Sequence, residues 1–303
     1  MNLSLKKEKE EQLKLVVRLP NWIGDALMAF PMLLALQKKG IDFVCVGHPW
    51  AKELFSETNF KVITSPQIKS SKWCYNFYKK NNFNYGLLCT RTLSTVVPMR
   101  LAGLKTVGYH LFSNVRLNYN DSLHTVENYF DLANYFIKDE FKLNDLTDKV
   151  PISKKNEEIA KKIIQEKINS KYIVVCPYAT NLHKGKNKEW PYWQKFCRKY
   201  NKYKIVSLVS QSDLKRCKLE YPEIIVMSCA LPVTAYMMNN AEFVLANDSG
   251  AMHIASFFGA NIIGLFGATE IQKTRPWYGN YLVGEKGEFV EINQLTSEIN
   301  NLI

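Results

Sequence analysis

Apolar and polar positions alternate between two periods along the chain. Leu15–Leu19 (LVVRL) is a compact apolar run containing β-branched residues and predicts a buried strand. Asp25–Lys39 predicts a helix that stops before Gly40, a residue type suited to the position just past a helix end. Pro31 falls inside that span and should bend the helix or lie a turn from a break. Ile41–Val46 is the next strand, followed by Tyr85–Cys89, a helix over Leu93–Ala102, a strand at Thr106–Tyr109 and a helix over Asn128–Phe136. Strand, helix and strand at these lengths make the βαβ unit of a parallel sheet.

Asp139–Pro151 is polar and rich in turn-forming residues, and a second series begins after it. A helix over Asn156–Ile168 leads into strands at Tyr172–Cys176, Tyr203–Val209, Ile224–Met227, Phe243–Ala246 and Ile262–Phe266. Helices fit Trp193–Lys199, Leu231–Asn239 and Ala251–Gly259 between them. The expectation is an α/β protein of two Rossmann-like, doubly wound domains, residues 1–152 and 153–303. Their strand ends should face a central cleft, where open α/β sheets bind ligands.

Composition narrows the classes. A hydrophobic share of 47% and a charged share of 22% over 303 residues are enough for two ordinary globular cores. The longest apolar stretches, residues 26–36 and 251–268, are interrupted by Pro31 and by His253, Ser256 and Asn261, and fall short of a membrane span. The first residues mix both charge signs and lack the apolar core of a signal peptide, which leads to the expectation of a cytoplasmic protein. Seven scattered cysteines with no Cys-x-x-Cys pair fit reduced thiols better than disulfides or a metal centre, so no metal is expected. The formal net charge of +12 fits either a lysine-rich surface or attraction to a polyanion. Lys and Arg divide about evenly between the halves, and no nucleic-acid recognition motif is present.

Three motifs lie where strands hand over to helices. In Leu19-Pro20-Asn21-Trp22-Ile23-Gly24-Asp25, Gly24 permits close backbone approach or positive φ, and Asp25 falls at a helix start. There it either caps the helix or offers a carboxylate to the cleft. In Asn247-Asp248-Ser249-Gly250-Ala251-Met252-His253, backbone N–H groups and a hydroxyl at a helix start suit an anion, with His253 one turn further on. The alternatives are a capping turn and a core histidine. The third motif runs from Cys176-Pro177-Tyr178-Ala179-Thr180 through a basic loop to Lys188-Glu189-Trp190-Pro191. Lysines beside a strand end suit a diphosphate, or simply form a solvated loop; Trp190 and Trp193 read as core. Neither Gly-x-Gly-x-x-Gly nor a Walker motif occurs.

Taken in this order, the motifs resemble glycosyltransferase family 9, and the Leu-Pro-Asn-Trp-Ile-Gly-Asp opening is most similar to the heptosyltransferase II branch. Arg116, His124-x-x-Glu127-x-Tyr129 and Phe266-Gly267-Ala268-Thr269 extend the resemblance over most of residues 15–278. It implies the GT-B architecture, with an acceptor domain first, a nucleotide-sugar domain second, and a last helix that packs back across the first. It also implies an inverting, metal-independent transfer of heptose from ADP-L-glycero-D-manno-heptose to the phosphorylated inner core of lipopolysaccharide. No further cofactor enters, and the work is done in peripheral contact with the inner membrane. Asp25 would be the catalytic base. Thr180, Lys188, Asp248, Ser249, Gly250 and His253 would bind the donor, with Lys184 or Lys186 able to substitute for Lys188. Asn21, Trp22, Gly24, Arg91 and Arg116 would meet the acceptor. The alternatives are a different nucleotide sugar or polysaccharide acceptor within the same family, and, outside enzymes, a nucleic-acid-binding or catalytically silent binding protein.

Overall fold

The computed structural model describes residues 13–179, 187–267 and 269–302. Its first half runs β1 (Leu15–Arg18), α1 (Ile23–Met28), α2 (Phe30–Lys38), β2 (Phe43–Gly47), α3 (Trp50–Leu54) and β3 (Lys61–Thr64). It continues with α4 (Ser71–Asn81), β4 (Tyr85–Leu88), α5 (Leu93–Leu101), β5 (Lys105–Gly108), β6 (Val115–Arg116) and α6 (Thr125–Ile137). The single helix expected over Asp25–Lys39 is two, broken at Ala29, with Pro31 in the first turn of the second, where its missing N–H costs nothing.

The second half holds α7 (Lys154–Lys167), β7 (Tyr172–Cys176), α8 (Trp193–Lys199), β8 (Lys204–Leu208), α9 (Leu214–Glu220) and β9 (Ile225–Met227). Then come α10 (Leu231–Asn239), β10 (Val244–Asn247), α11 (Gly250–Phe258), β11 (Ile262–Phe266), α12 (Ile271–Thr274), β12 (Asn280–Val283) and α13 (Ile292–Leu302). Leu295 and Ile299 of α13 are buried with Ile173, Val175 and Trp190, all of the second half, and Ile292 packs against the same cluster half-buried. The described side chains on the apolar face of this helix thus pack on its own sheet.

Each half is a six-stranded parallel sheet, ordered β3-β2-β1-β4-β5-β6 and β12-β11-β10-β7-β8-β9. In both, the first three strands run to one side and the chain returns to the centre before running to the other. The order therefore reverses between β1 and β4 in one sheet and between β7 and β10 in the other, which opens a crevice at each pair of carboxyl ends. Central strands are buried throughout, as in β1, β7 and β11, because helices cover both faces.

The halves meet through α1 and α11, with smaller contacts around them. Glu53 accepts a hydrogen bond from the Leu231 amide at 2.6 Å, Lys273 pairs with Asp121 at 2.7 Å, and the Val150 amide donates to the Phe257 carbonyl at 3.0 Å. Small residues allow the main crossing. A Cβ on Gly24 would sit 2.5 Å from Cδ2 of His253, and one on Gly250 would sit 3.8 Å from Cβ of Ile23. Gly24 is thus required for close approach to a side chain of the other half, and it does not have positive φ.

Candidate active site

β1 ends at Arg18, whose buried guanidinium donates to the Leu19 carbonyl and, at 2.8 Å, to Oδ1 of Asn21. That clamp sets the path of Pro20–Trp22 into α1. Trp22 occupies the N-cap position in an extended conformation and makes no side-chain capping bond. Asp25 is the third residue of the helix. The capping alternative is therefore set aside: Asp25 is not the N-cap, and its carboxylate lies in the wall of the crevice instead.

The facing wall is built on Asn247, the fully buried last residue of β10. Its Oδ1 accepts from the Trp190 amide at 2.9 Å and from Nε1 of Trp193 at 3.1 Å, and its Nδ2 donates to the Pro177 carbonyl at 2.8 Å. One side chain thereby ties the end of β10 to the loops that follow β7 and precede α8. Trp190 and Trp193 are core residues, as expected. The same tie brings Lys188 to Asp248, Nζ to Oδ2 at 2.8 Å, with both side chains largely withdrawn from water. Ser249 is the N-cap of α11, but its hydroxyl makes no capping bond and is a buried oxygen without a partner. Backbone N–H groups of the first turn of α11 have no intrahelical acceptor, and the helix start at Ser249 and Gly250 lines the crevice.

Electrostatics separate the titratable groups. Burial, followed by the nearby Asp248 carboxylate, raises the Asp25 pKa to about 6, partly offset by Lys188. Burial lowers His253 to about 4, so at neutral pH it is an uncharged imidazole. Its Nδ1 is buried without a partner. A carboxylate that gains a proton near neutrality, an ion-paired lysine and a neutral imidazole can together take up a proton and stabilise a departing anion.

The crevice between the halves, about 520 Å³, is lined by Asn21, Trp22, Gly24 and Asp25 from one wall and by Lys188, Asp248, Ser249, Gly250 and His253 from the other. Nine of the twelve residues singled out in the sequence thus converge. Arg91 and Arg116 are not among its lining residues: Arg91 stacks over the Tyr119 ring at 4.0 Å, and Arg116 is exposed on the edge strand β6. Thr180, Lys184 and Lys186 lie outside the described residues. Sequence reasoning missed His48, Trp50 and Lys69, which line the first-half wall from the loop after β2, the start of α3 and the loop after β3. The position of His48 just past a strand end was the available signal. A second slot adjoins the first over Ser249 and Gly250 and runs along Tyr178, Ser210, Asp213 and Thr234 at the ends of β7 and β8. Among the described residues, no group of three or more His, Cys, Asp or Glu side chains is placed to hold a metal ion.

A helix start suited to an anion and a carboxylate of raised pKa face each other between two doubly wound sheets, an arrangement suited to group transfer. Comparison with known proteins agrees. The family model for glycosyltransferase family 9 (heptosyltransferase) matches residues 94–289. Lipooligosaccharide heptosyltransferase 2 of Campylobacter jejuni serotype O:6 is 23% identical over 284 residues, covering 88% of this chain and 85% of the relative. The structure of the Escherichia coli ADP-heptose lipopolysaccharide heptosyltransferase II superposes with a TM-score of 0.76 at 18% identity, over 96% of this chain and 98% of that one. The Escherichia coli heptosyltransferase WaaC with ADP-2-deoxy-2-fluoro heptose gives 0.70 at 17%, over 96% and 100%. The chain belongs to glycosyltransferase family 9, the heptosyltransferase family. It is a glycosyltransferase of the GT-B fold.

Proposed function

We propose that this enzyme transfers heptose from ADP-heptose to an inner-core sugar of lipopolysaccharide, at the cytoplasmic face of the inner membrane. The observation that carries the reading is the convergence of Asp25 with Lys188, Asp248 and the first turn of α11 on one crevice. The nucleoside fits the slot past Tyr178, where Asp213 and Thr234 offer an acceptor and a hydroxyl. The diphosphate then crosses Ser249 and Gly250, which border both spaces. There it meets hydrogen-bond donors, the first-turn N–H groups, the Ser249 hydroxyl and the neutral His253 ring, together with the positive charge of Lys188, which stabilise the leaving group without a metal ion.

With the donor so placed, its sugar projects toward α1. The acceptor hydroxyl, beside Asp25, attacks the anomeric carbon from the side opposite the diphosphate. A new C–O bond forms as the bond to the phosphate oxygen breaks, ADP leaves with the electron pair, Asp25 takes the hydroxyl proton, and the configuration inverts. Such base assistance is worth roughly 10²–10⁴-fold. The raised pKa suits it, because a base poised near the working pH accepts a proton more readily than an ordinary carboxylate.

The test is mass spectrometry of heptose-deficient lipopolysaccharide incubated with the protein and ADP-heptose. A gain of one heptose is the expected result. Turnover of another sugar nucleotide with none of ADP-heptose would move the assignment to a different donor within the family.

A further inference from the structure

The net charge of +12 is not spread over the molecule. Lys and Arg are, but Asp and Glu are not: residues 58–120 contain nine Lys or Arg and no acidic residue, which leaves +3 for the other 240 residues. Most of this stretch, α4 to β6, forms one block at the β4-β5-β6 side of the first sheet, while β3 lies at the opposite edge. Lys61 pairs with Asp42; among the described residues none of the other eight cations is in an ion pair.

The same block exposes large apolar side chains. Leu93, Leu101, Leu111 and Phe112 are 50%, 69%, 62% and 52% exposed. Leu93, Val97, Arg100 and Leu101 fall at i, i+4, i+7 and i+8, a single face of α5. Leu111 and Phe112 sit in the loop after β5, which Arg100 joins to that face by donating from NH1 to the Phe112 carbonyl at 2.9 Å. Arg91, Arg100 and Arg116, all of the same acid-free segment, are exposed. An exposed apolar face in a segment that carries cations and no acid complements a surface that is apolar beneath and anionic on top.

We infer that the outer face of α5 and the loop after β5 dock on an anionic phospholipid bilayer, with Leu101, Leu111 and Phe112 entering the headgroup layer and cations of the same segment meeting lipid phosphates. The inference deepens the proposed function, since a glycolipid held in that bilayer would lie beside the acceptor half. Its physical basis is separate, however, and binding needs neither donor nor acceptor.

The experiment is flotation of the full-length protein with phosphatidylcholine vesicles with and without phosphatidylglycerol. The protein should float with the anionic vesicles at low salt, remain behind with neutral ones, and dissociate as salt screens the cations. The triple variant Leu101→Ser/Leu111→Ser/Phe112→Ser should lose at least about tenfold in partitioning, because three side chains no longer leave water. The three positions are solvent-exposed, so its melting temperature should match the wild type. Independently, Phe112→Trp should gain fluorescence that brominated acyl chains quench. Undiminished partitioning of the triple variant, equal binding to neutral vesicles, or no quenching would overturn the inference. Tight binding to duplex DNA with no vesicle binding would replace the bilayer by a nucleic acid. Failure on vesicles with heptose transfer intact would leave the transferase reading standing.

Discussion

Replacing Asp25 by Asn should make the protein more stable while removing its activity. Burial and the Asp248 carboxylate lift the Asp25 pKa from 3.8 to about 6, so the folded state holds its proton more tightly than the unfolded chain does. Stability therefore falls as pH rises from about 4 to about 6, and the full penalty for a charged Asp25 applies above that. A shift of about two units corresponds to about 3 kcal/mol, an upper figure because the side chain is partly exposed and water screens it. The amide of the variant carries no such charge. Thermal or denaturant unfolding from pH 4 to 8 should show the two proteins converging at the acid end, with the variant more stable by several degrees above pH 6. In parallel, wild-type kcat/KM should lose about tenfold per pH unit below about 6 as the base is protonated, while Asp25→Asn is inactive throughout. A variant equally or less stable at pH 8 would refute the claim that this carboxylate is held charged at a cost. A rate profile flat down to pH 5 would refute its role as base.

Other perturbations test the rest of the site. Lys188→Ala leaves the Asp248 charge buried without its partner, so steady-state kinetics should show a raised donor KM and an acid limb moved to higher pH, with a loss of about 3 kcal/mol in unfolding. Gly24→Ala drives a methyl into the His253 ring; calorimetry should register about 1–3 kcal/mol of destabilisation, with activity falling alongside, and unchanged values would show that the halves are not packed this closely. Asn247→Leu strands the Trp190 amide and the Trp193 indole N–H at about 1–3 kcal/mol each, and donor titration should weaken as the Lys188 loop comes loose.

Much of this was legible in the chain itself. Buried strands such as Tyr172–Cys176 and Ile262–Phe266 are continuous apolar runs because helices cover both faces, and local pattern therefore located them to the residue. Motifs at strand ends followed from the same alternation. Lys61–Thr64 and Asn280–Val283 were missed because edge strands are half exposed and carry too few apolar positions to register. What periodicity could not supply was any relation between residues far apart in the chain. The order of the strands, the seat of Gly24 against His253, the pairing of Lys188 with Asp248 and the displacement of the Asp25 pKa all depend on groups 60 or more residues away. Local sequence sets which segments curl or extend; only the packed fold buries a carboxylate beside a like charge, and that desolvation is what raises its pKa.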